Sequence, residues 1–183
     1  MTPYTTLIDA QSLSRLMTQD AGRVRLLDCS HDLAQPKAGR IAYATAHLPG
    51  AHFVSLDDTL SGDKTGKNGR HPLPDRAQLV QGMRMLGADD DTQIVAYSNG
   101  GGMYAARLWW LMRWLGHGAV AVLDGGIQAW QAAGLPCTDI NPSAPQKGTF
   151  SARPPLVATV NYADVKANLD TKRHLVIDAR GAD

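Results

Sequence analysis

The segment best suited to chemistry is the glycine-rich stretch 98–102, Ser-Asn-Gly-Gly-Gly, which follows an apolar run and precedes a helical pattern. A strand, a tight loop and a helix N-terminus in this order present backbone N–H groups and the positive end of the helix dipole to whatever the loop holds. Such a cradle suits an anion or a thiolate. The same pattern also forms turns without any chemistry, so by itself it indicates a site only weakly.

Nucleophiles and metal ligands elsewhere in the chain are sparse. Cys29 and Cys137 lie far apart without metal-ligand spacing, which predicts reduced, structural thiols rather than a disulfide or a zinc site. His47, His52 and His117 show no i, i+4 pairing on a convincing helix, so structural or surface roles are predicted for them. We therefore expect no metal site and no cofactor.

A polar loop, 61–74, carries a further candidate cluster, which consists of Lys64, Lys67, Arg70 and His71. These side chains could attract an anionic substrate through their charge. A flexible basic loop is more often only solvated. The sequence leaves both interpretations open.

The elements around these residues alternate between helix and strand. Apolar residues at helical spacing over 10–17 precede a short buried strand at 24–27, and the His-Leu-Pro-Gly turn at 47–50 leads into another short strand, while 41–46 is ambiguous. Asp75 is predicted to cap a helix that ends at Gly87. A strand at 93–97, a helix over 103–115, a strand at 119–123 and a helix over 127–133 follow. This order predicts an α/β fold with a mostly parallel sheet flanked by helices on both faces.

The helix after the glycine loop is apolar over much of its circumference. One face carries Leu108, Trp109, Met112 and Leu115, and Trp110 and Trp114 extend the apolar surface onto another face. Such a helix is either deeply buried in its own domain or docked against another one. Both interpretations remain open.

Composition and charge exclude several classes of function. The chain has 183 residues, 44% of them hydrophobic, which is enough for one core and a leftover segment. A formal net charge of +1 gives no field to attract nucleic acid or an anionic membrane. The N-terminus shows no signal-peptide pattern, and no apolar run reaches the roughly 18 residues that a membrane span needs. We expect a cytoplasmic protein without nucleic-acid or membrane partners.

A change in composition and an internal repeat divide the chain. Residues 136–155 are rich in proline and poor in large apolar residues, which is typical of an interdomain linker. Beyond them, 159–165 leads through a short helical pattern to Leu-Val-Ile-Asp at 175–178, as 6–13 leads to Val-Arg-Leu-Leu-Asp at 24–28. A second copy of the same fold is therefore predicted to begin near Leu156, with about one helix and one strand of it present.

Several ordered motifs together resemble one known family. They are His-Leu-Pro-Gly-Ala at 47–51, the glycine loop after Val-Ala-Tyr at 95–97, Ala-Ala-Arg-Leu-Trp-Trp at 105–110, Leu-Gly-His at 115–117 and Val-Leu-Asp-Gly-Gly-Ile-Gln-Ala-Trp at 122–130. The chain resembles the rhodanese family, and within it the N-terminal half of the tandem-domain thiosulfate and 3-mercaptopyruvate sulfurtransferases. This resemblance implies a first rhodanese-like domain over 4–135, a linker over 136–155 and the truncated start of a second rhodanese-like domain over 156–183.

The resemblance also implies an activity. The family's catalytic domain carries a cysteine at the first position of the glycine loop, which takes sulfane sulfur from a small anionic donor as a persulfide and passes it to a thiol or cyanide. Ser98 stands at that position, and a hydroxyl cannot carry a persulfide. We therefore expect no catalytic residue in this chain, no activity from the chain alone, and a missing second rhodanese domain as its partner. The helix with the tryptophans is expected to dock against that domain. Arg180 is the expected contact for the donor, since family arginines lie near the cleft.

Two alternatives differ from this hypothesis. The chain could be a stand-alone inactive rhodanese domain that acts as a binding or regulatory module, and a stop codon directly after Asp183 would favour that function. The related cysteine phosphatase fold requires a cysteine and an arginine in the loop, and 98–102 contains neither.

Overall fold

The computed structural model describes residues 2–178 and contains a parallel sheet in the order β1-β5-β4-β2-β3. The strands are β1 (Leu7–Ile8), β2 (Val24–Asp28), β3 (His52–Phe53), β4 (Gln93–Tyr97) and β5 (Val120–Leu123). The helices are α1 (Ala10–Gln19), α2 (Ala38–Thr45), α3 (Arg76–Met85), α4 (Met103–Trp114), α5 (Gly126–Ala132) and α6 (Tyr162–Thr171), with a 3₁₀ turn at Ala21–Arg23. The predicted α/β fold is confirmed.

The central strand β4 explains why both faces of the sheet carry helices. Ile94 and Ala96 pack into one cluster with residues of α3 and α4, while Val95 and Tyr97 pack into a second cluster with residues of α1 and α5. Successive side chains of a strand point to opposite faces, so a strand that is buried at every position must be covered twice. The core therefore lies in two layers, one on each side of the sheet.

Local signals in the sequence fix most of the element boundaries. The carboxylate of Asp75 accepts hydrogen bonds from the N–H groups of Ala77 and Gln78, and Gly87 follows α3 with a φ of 72°, as the capping pattern predicts. The ambiguous stretch 41–46 is largely part of α2. β1 was missed, because its two residues are too few to show a period and it forms only by pairing with β5.

The proline-rich linker is fixed to the surface of the domain. Phe150 is fully buried, and the Gly148 N–H donates to the carbonyl of Arg84 at 2.8 Å. The carboxylate of Asp90 accepts from both the N–H and the hydroxyl of Ser151. We call residues 145–156 the strap. Its composition indicated a connector between units, but its side chains and backbone also pack against the α/β domain.

The segment after the strap departs from the expected second strand. α6 begins with a capping box between Asn161 and Asp164, as a helix in the repeat requires. Residues 175–177 do not form a strand, and Leu175 and Ile177 are exposed. That prediction was wrong for this structure, since a parallel strand forms only beside a partner, and no strand within residues 2–178 pairs with this triplet.

The helices are short or polar compared with a membrane-spanning segment. Within residues 2–178, no helix combines the length and the apolar character that are needed to cross a membrane.

Candidate functional site

The glycine loop begins where β4 ends and turns into α4. Ser98 is 2% exposed, and its hydroxyl donates to the carbonyl oxygen of Gly100 at 2.8 Å. Gly101 and Gly102 have positive φ angles of 50° and 72°, which a side chain would disfavour and which let the chain reverse within the loop. The Gly102 N–H donates to the same Gly100 oxygen. The loop therefore bonds to itself.

These bonds reduce what the loop can do for a nucleophile. A thiolate is held by N–H donors, whereas the group that the Ser98 hydroxyl contacts is a carbonyl oxygen, which can only accept. The N–H of Asn99 is also engaged, by the Ser30 hydroxyl at 2.9 Å. Among the described residues, no imidazole, amine or carboxylate accepts the Ser98 proton. The Ser98 hydroxyl and the Asn99 N–H are therefore both engaged by other groups of the protein.

An apolar cleft of about 620 Å³ lies beside the loop. Its walls include Leu7, Met103 and Trp109, and the indole N–H of Trp109 donates to the carbonyl of Thr5 at 2.8 Å. Trp109 therefore joins the start of β1 to α4 and forms one wall of the cleft.

The sequence left open whether the tryptophans of α4 are buried in their own domain or docked against another one. The structure shows them half-buried. Trp109, Trp110 and Trp114 pack against the core and stay half-buried, and the rings of Trp110 and Trp114 stack at a centroid distance of 6.0 Å. The aliphatic side chains of the helix are fully buried, namely Leu108, Leu111, Met112 and Leu115. The α4 helix therefore packs its aliphatic side chains into the core of this domain, and its tryptophan side chains remain partly exposed to solvent.

The two cysteines are free thiols that differ in burial. Cys29 is 1% exposed, and burial together with the nearby Asp28 carboxylate raises the pKa of its thiol well above the ordinary value. Cys137 is half-buried and packs against the apolar cluster of α1 and α5. Both thiols have the structural environment predicted for them.

The three histidines with predicted structural or surface roles are wholly or partly buried in the domain. His47 is fully buried, stacks on Tyr43 at 4.0 Å, and has a ring nitrogen 2.7 Å from the Tyr43 carbonyl oxygen. His117 is buried, with a ring nitrogen 2.9 Å from the carbonyl oxygen of Thr92, and burial lowers its pKa. His52 is half-buried in β3, and burial also lowers its pKa. The packing of His47 and His117 agrees with the structural roles predicted for them.

A second group of polar side chains lies at the same edge of the sheet. His31, Asp57 and Ser98 follow the carboxyl ends of β2, β3 and β4, which are neighbours in a parallel sheet. The His71 Nε2 atom is 3.5 Å from the Asp57 Oδ1 atom, and the rings of His31 and His71 meet edge to face at 6.2 Å. The carboxyl edge is where open α/β sheets place their ligand sites.

The surroundings of Asp57 and His71 shift the pKa of each side chain. The Lys64 ammonium donates to Asp57 Oδ1 at 2.8 Å, and this hydrogen bond lowers the carboxyl pKa. Burial lowers the pKa of His71, and the Asp57 carboxylate partly opposes that shift. A neutral imidazole beside an ionised carboxylate results at neutral pH, which is the arrangement that suits proton transfer.

The same side chains have the composition of a metal site. One ligand atom from each of His31, Asp57 and His71 lies within 4.8 Å of the others, so the three could hold a divalent cation. Metal-ligand spacing along the sequence could not indicate this group, because its members come from separate loops. Lys64 occupies the carboxylate, however, and its positive charge opposes a cation there.

The four side chains of the basic loop have different environments in the structure. Lys64 bonds to Asp57, Lys67 and Arg70 are exposed, and His71 is half-buried at the far end of the loop. The sequence grouped the four by proximity along the chain and did not single out Asp57. The signal that could have indicated Asp57 is its position shortly after the predicted strand that corresponds to β3. Arg180, the expected donor contact, lies outside the described residues.

The domain is similar to proteins of known family. The family profile described as "Rhodanese-like domain" matches residues 9–133. The protein named "Probable 3-mercaptopyruvate sulfurtransferase" from Pseudomonas aeruginosa is 39% identical over 176 residues, which cover 95% of this chain and 61% of that protein. Human 3-mercaptopyruvate sulfurtransferase is 35% identical over 181 residues, which cover 95% of this chain and 59% of that protein.

Solved structures agree with the sequence relatives. The crystal structure of SseA from Escherichia coli, described with the 3-mercaptopyruvate sulfotransferases and the rhodanese fold, matches with a TM-score of 0.81 at 26% identity. The match covers 97% of this chain and 66% of SseA. The chain therefore spans about three fifths of the curated relatives described above.

Proposed function

The chain belongs to the rhodanese family, and from that membership we propose that the full-length protein is a sulfurtransferase that moves a sulfane sulfur from thiosulfate or 3-mercaptopyruvate to a thiol or cyanide. The observation that carries this proposal is the match to sulfurtransferases over almost the whole chain, 95% of it for the relative from Pseudomonas aeruginosa. Related chains with this length of similarity commonly keep their reaction class. The donor and the acceptor are taken from the family chemistry.

We place the persulfide-forming cysteine outside the 183 residues, in a second rhodanese-like domain. Two observations support this. Ser98 stands at the start of the glycine loop and donates its hydroxyl to a carbonyl oxygen, and Cys29 is buried with a raised pKa. In addition, about two fifths of each curated relative lies beyond the match. In this arrangement the first domain supplies the strap and one wall of the cleft, and Arg180 contacts the anionic donor.

We further assign His71 the role of a proton carrier, with Asp57 orienting it. Transfer to a thiol acceptor needs the thiolate form, and a thiol gives up its proton most readily to a base that is neutral near pH 7. His71 meets that requirement, because burial lowers its pKa. Asp57 stays ionised through its bond to Lys64 and lies 3.5 Å from the imidazole that it orients.

The proposed transfer step conserves atoms and electrons. The acceptor thiol loses its proton to the His71 imidazole, and its sulfur forms a bond with the outer sulfur of the cysteine persulfide. The bond between the two persulfide sulfurs breaks, and the cysteine leaves as a thiolate. The imidazolium releases its proton to water before the next turnover.

Thiocyanate formation tests the assignment of the catalytic cysteine to a second domain. We expect the 183-residue chain to produce no thiocyanate above the uncatalysed rate from cyanide with either donor, because it holds no activated thiol. The full-length gene product is expected to be active with at least one donor. Robust turnover by the 183-residue chain would contradict the assignment of the cysteine to a second domain, and an inactive full-length protein would contradict the sulfurtransferase function itself.

Replacing Ser98 with cysteine tests whether the loop can still support a persulfide. The new thiol would face the Gly100 carbonyl oxygen, the acceptor of the Ser98 hydroxyl, and a carbonyl oxygen cannot stabilise a thiolate. We expect Ser98→Cys to form no persulfide with thiosulfate and to react with iodoacetamide more slowly at pH 7 than a free cysteine. Mass spectrometry measures both modifications. Ser98→Ala is the matched control, because it reports the background modification of Cys29 and Cys137. A persulfide on the introduced cysteine would show that the loop keeps its catalytic capacity.

A further inference from the structure

The guanidinium of Arg107, on α4, holds the two ends of the basic loop. Its Nε atom donates to the carbonyl of Leu60 at 2.9 Å. Its Nη2 atom donates to the carbonyls of His71 and Pro72, each at 3.1 Å. The Gly62 N–H also donates to the Pro72 carbonyl at 3.1 Å. The loop is therefore closed at its neck, and His71 lies at that neck.

Arginine suits this place because it offers several donors in a rigid plane. The guanidinium is half-buried, and burial lowers its pKa from the usual value. The ion pairs found within residues 2–178 do not include Arg107, so its bonding is directed at backbone carbonyls. A lysine could keep the charge but could not make the same set of bonds from one planar group.

We infer that Arg107 is a positioning residue, which holds the loop neck so that the His71 imidazole stays against Asp57. This inference rests on the proposed function for its kinetic consequence. The bonds of Arg107 reach the two ends of the loop and not its tip around Gly66 and Gly69. The sequence places Arg107 in Ala-Ala-Arg-Leu-Trp-Trp, one turn into α4, so the helix that follows the glycine loop also sets the position of His71.

The charges around His71 define what a pH experiment reports. The groups that act on it are Asp57, which favours the charged imidazole, and Lys64, Arg107 and His31, which disfavour it. Replacing Arg107 with lysine keeps a positive charge near the ring and removes the planar set of donors. A change in titration in that variant therefore reports the position of the imidazole more than the loss of a charge.

A double-mutant cycle in the full-length protein tests the inference. We expect Arg107→Lys to lower kcat for transfer to a thiol by about 10- to 100-fold, because misplacing a reacting group by about 1 Å costs that much. KM for the donor should stay unchanged. His71→Gln should lower kcat similarly, and the double variant should be no slower than His71→Gln alone, since Arg107 acts through His71. Losses that multiply would overturn the inference.

Titration of the His71 ring by NMR in the 183-residue chain separates this inference from the proposed function. In Arg107→Lys the midpoint should move up toward about 6.5, the value of a solvated histidine, as the ring leaves its half-buried position. The matched control is Arg76→Lys, since Arg76 also donates to carbonyls, those of Trp114 and Arg153, away from His71. An unchanged midpoint in Arg107→Lys would overturn the inference. A moved midpoint with no kinetic effect of His71→Gln would instead reject the proposed role of His71.

Hydrogen exchange in the unmodified chain covers the case in which the Arg107 variants do not fold. The neck predicts slow exchange of the Gly62 N–H, which bonds to Pro72, and fast exchange at Gly66 and Gly69 in the loop tip. Equally fast exchange at all three positions would show that the neck is not held, and the inference would fail.

Discussion

Individual side chains of the same type have different chemistry here because different groups surround them. His47 and His117 are buried against backbone carbonyls, whereas His71 is half-buried beside a carboxylate and an ammonium group. Of these three, His71 offers an imidazole that a substrate could reach. The Ser98 hydroxyl is likewise held by a backbone group, since it donates to the Gly100 carbonyl.

Replacing His117 with glutamine should flatten the pH dependence of stability. Burial lowers the pKa of His117 from 6.5, so below that pH the unfolded chain binds a proton that the folded chain binds less readily. The free energy of unfolding therefore falls as the pH drops through 6.5, by at most about 1.4 kcal/mol per pH unit from this residue. The amide of the His117→Gln variant would not titrate. Urea unfolding of both proteins between about pH 8 and pH 5 measures the difference, and identical slopes would contradict it.

The elements depend on one another more than their local patterns indicate. α3 receives its cap from Asp75 and its C-terminal turn from Gly87, yet the same end of the helix also holds the strap through Arg84, whose carbonyl accepts from Gly148. The strap in turn places Phe150 into the core, where its ring meets a buried imidazole edge to face at 5.3 Å. The strap has the composition of a connector, but it packs into the domain as a helix or strand does.

Truncating Phe150 should reveal the strap as part of the domain. We expect Phe150→Ala to lower the free energy of unfolding by about 3–5 kcal/mol, the usual effect of removing a fully buried aromatic ring. The matched control is Ile140→Ala in the same proline-rich stretch, since Ile140 is 75% exposed and its loss should change stability by less than about 0.5 kcal/mol. Denaturant unfolding measures both. Equal effects of the two substitutions would mean that the strap is only a tether.

At the scale of the whole molecule, the residues before and after the strap differ in how much apolar surface they expose. The rhodanese-like domain buries its apolar residues in two layers, whereas residues after the strap leave Leu169, Leu175 and Ile177 at 71%, 87% and 78% exposure. Neighbouring apolar groups left in water favour association with a further surface. The proposed second domain would supply that surface and the missing partner strand.

Hydrogen exchange in the full-length protein tests this proposal. If 175–177 pair within a second domain, their amides should exchange on the order of 100-fold or more slowly in the full-length protein than in the 183-residue chain. The amides of β4 lie inside the first domain and should exchange alike in both, which makes them the internal control. Equal rates at 175–177 would count against a second domain that continues this strand and would favour the stand-alone binding module.

Local information was sufficient for most of the elements, although β1 was missed and 41–46 stayed ambiguous. Neighbouring residues set the caps at Asp75 and Gly87, the apolar strands predicted at 24–27 and 93–97, and the glycine loop, so the sequence predicts them directly. The presence of a hydroxyl in place of a thiol at position 98 is a property of one residue. The family resemblance rested on such ordered local motifs.

The tertiary structure decided which distant residues meet. The order β1-β5-β4-β2-β3 brings the ends of β2, β3 and β4 to one edge, and this places His31, Asp57 and His71 together although they are far apart along the chain. The neck bonds of Arg107 and the burial of Phe150 depend on the same packing. Each of these contacts closes a long loop, and its formation depends on the packing of whole elements, which no local pattern of residues records.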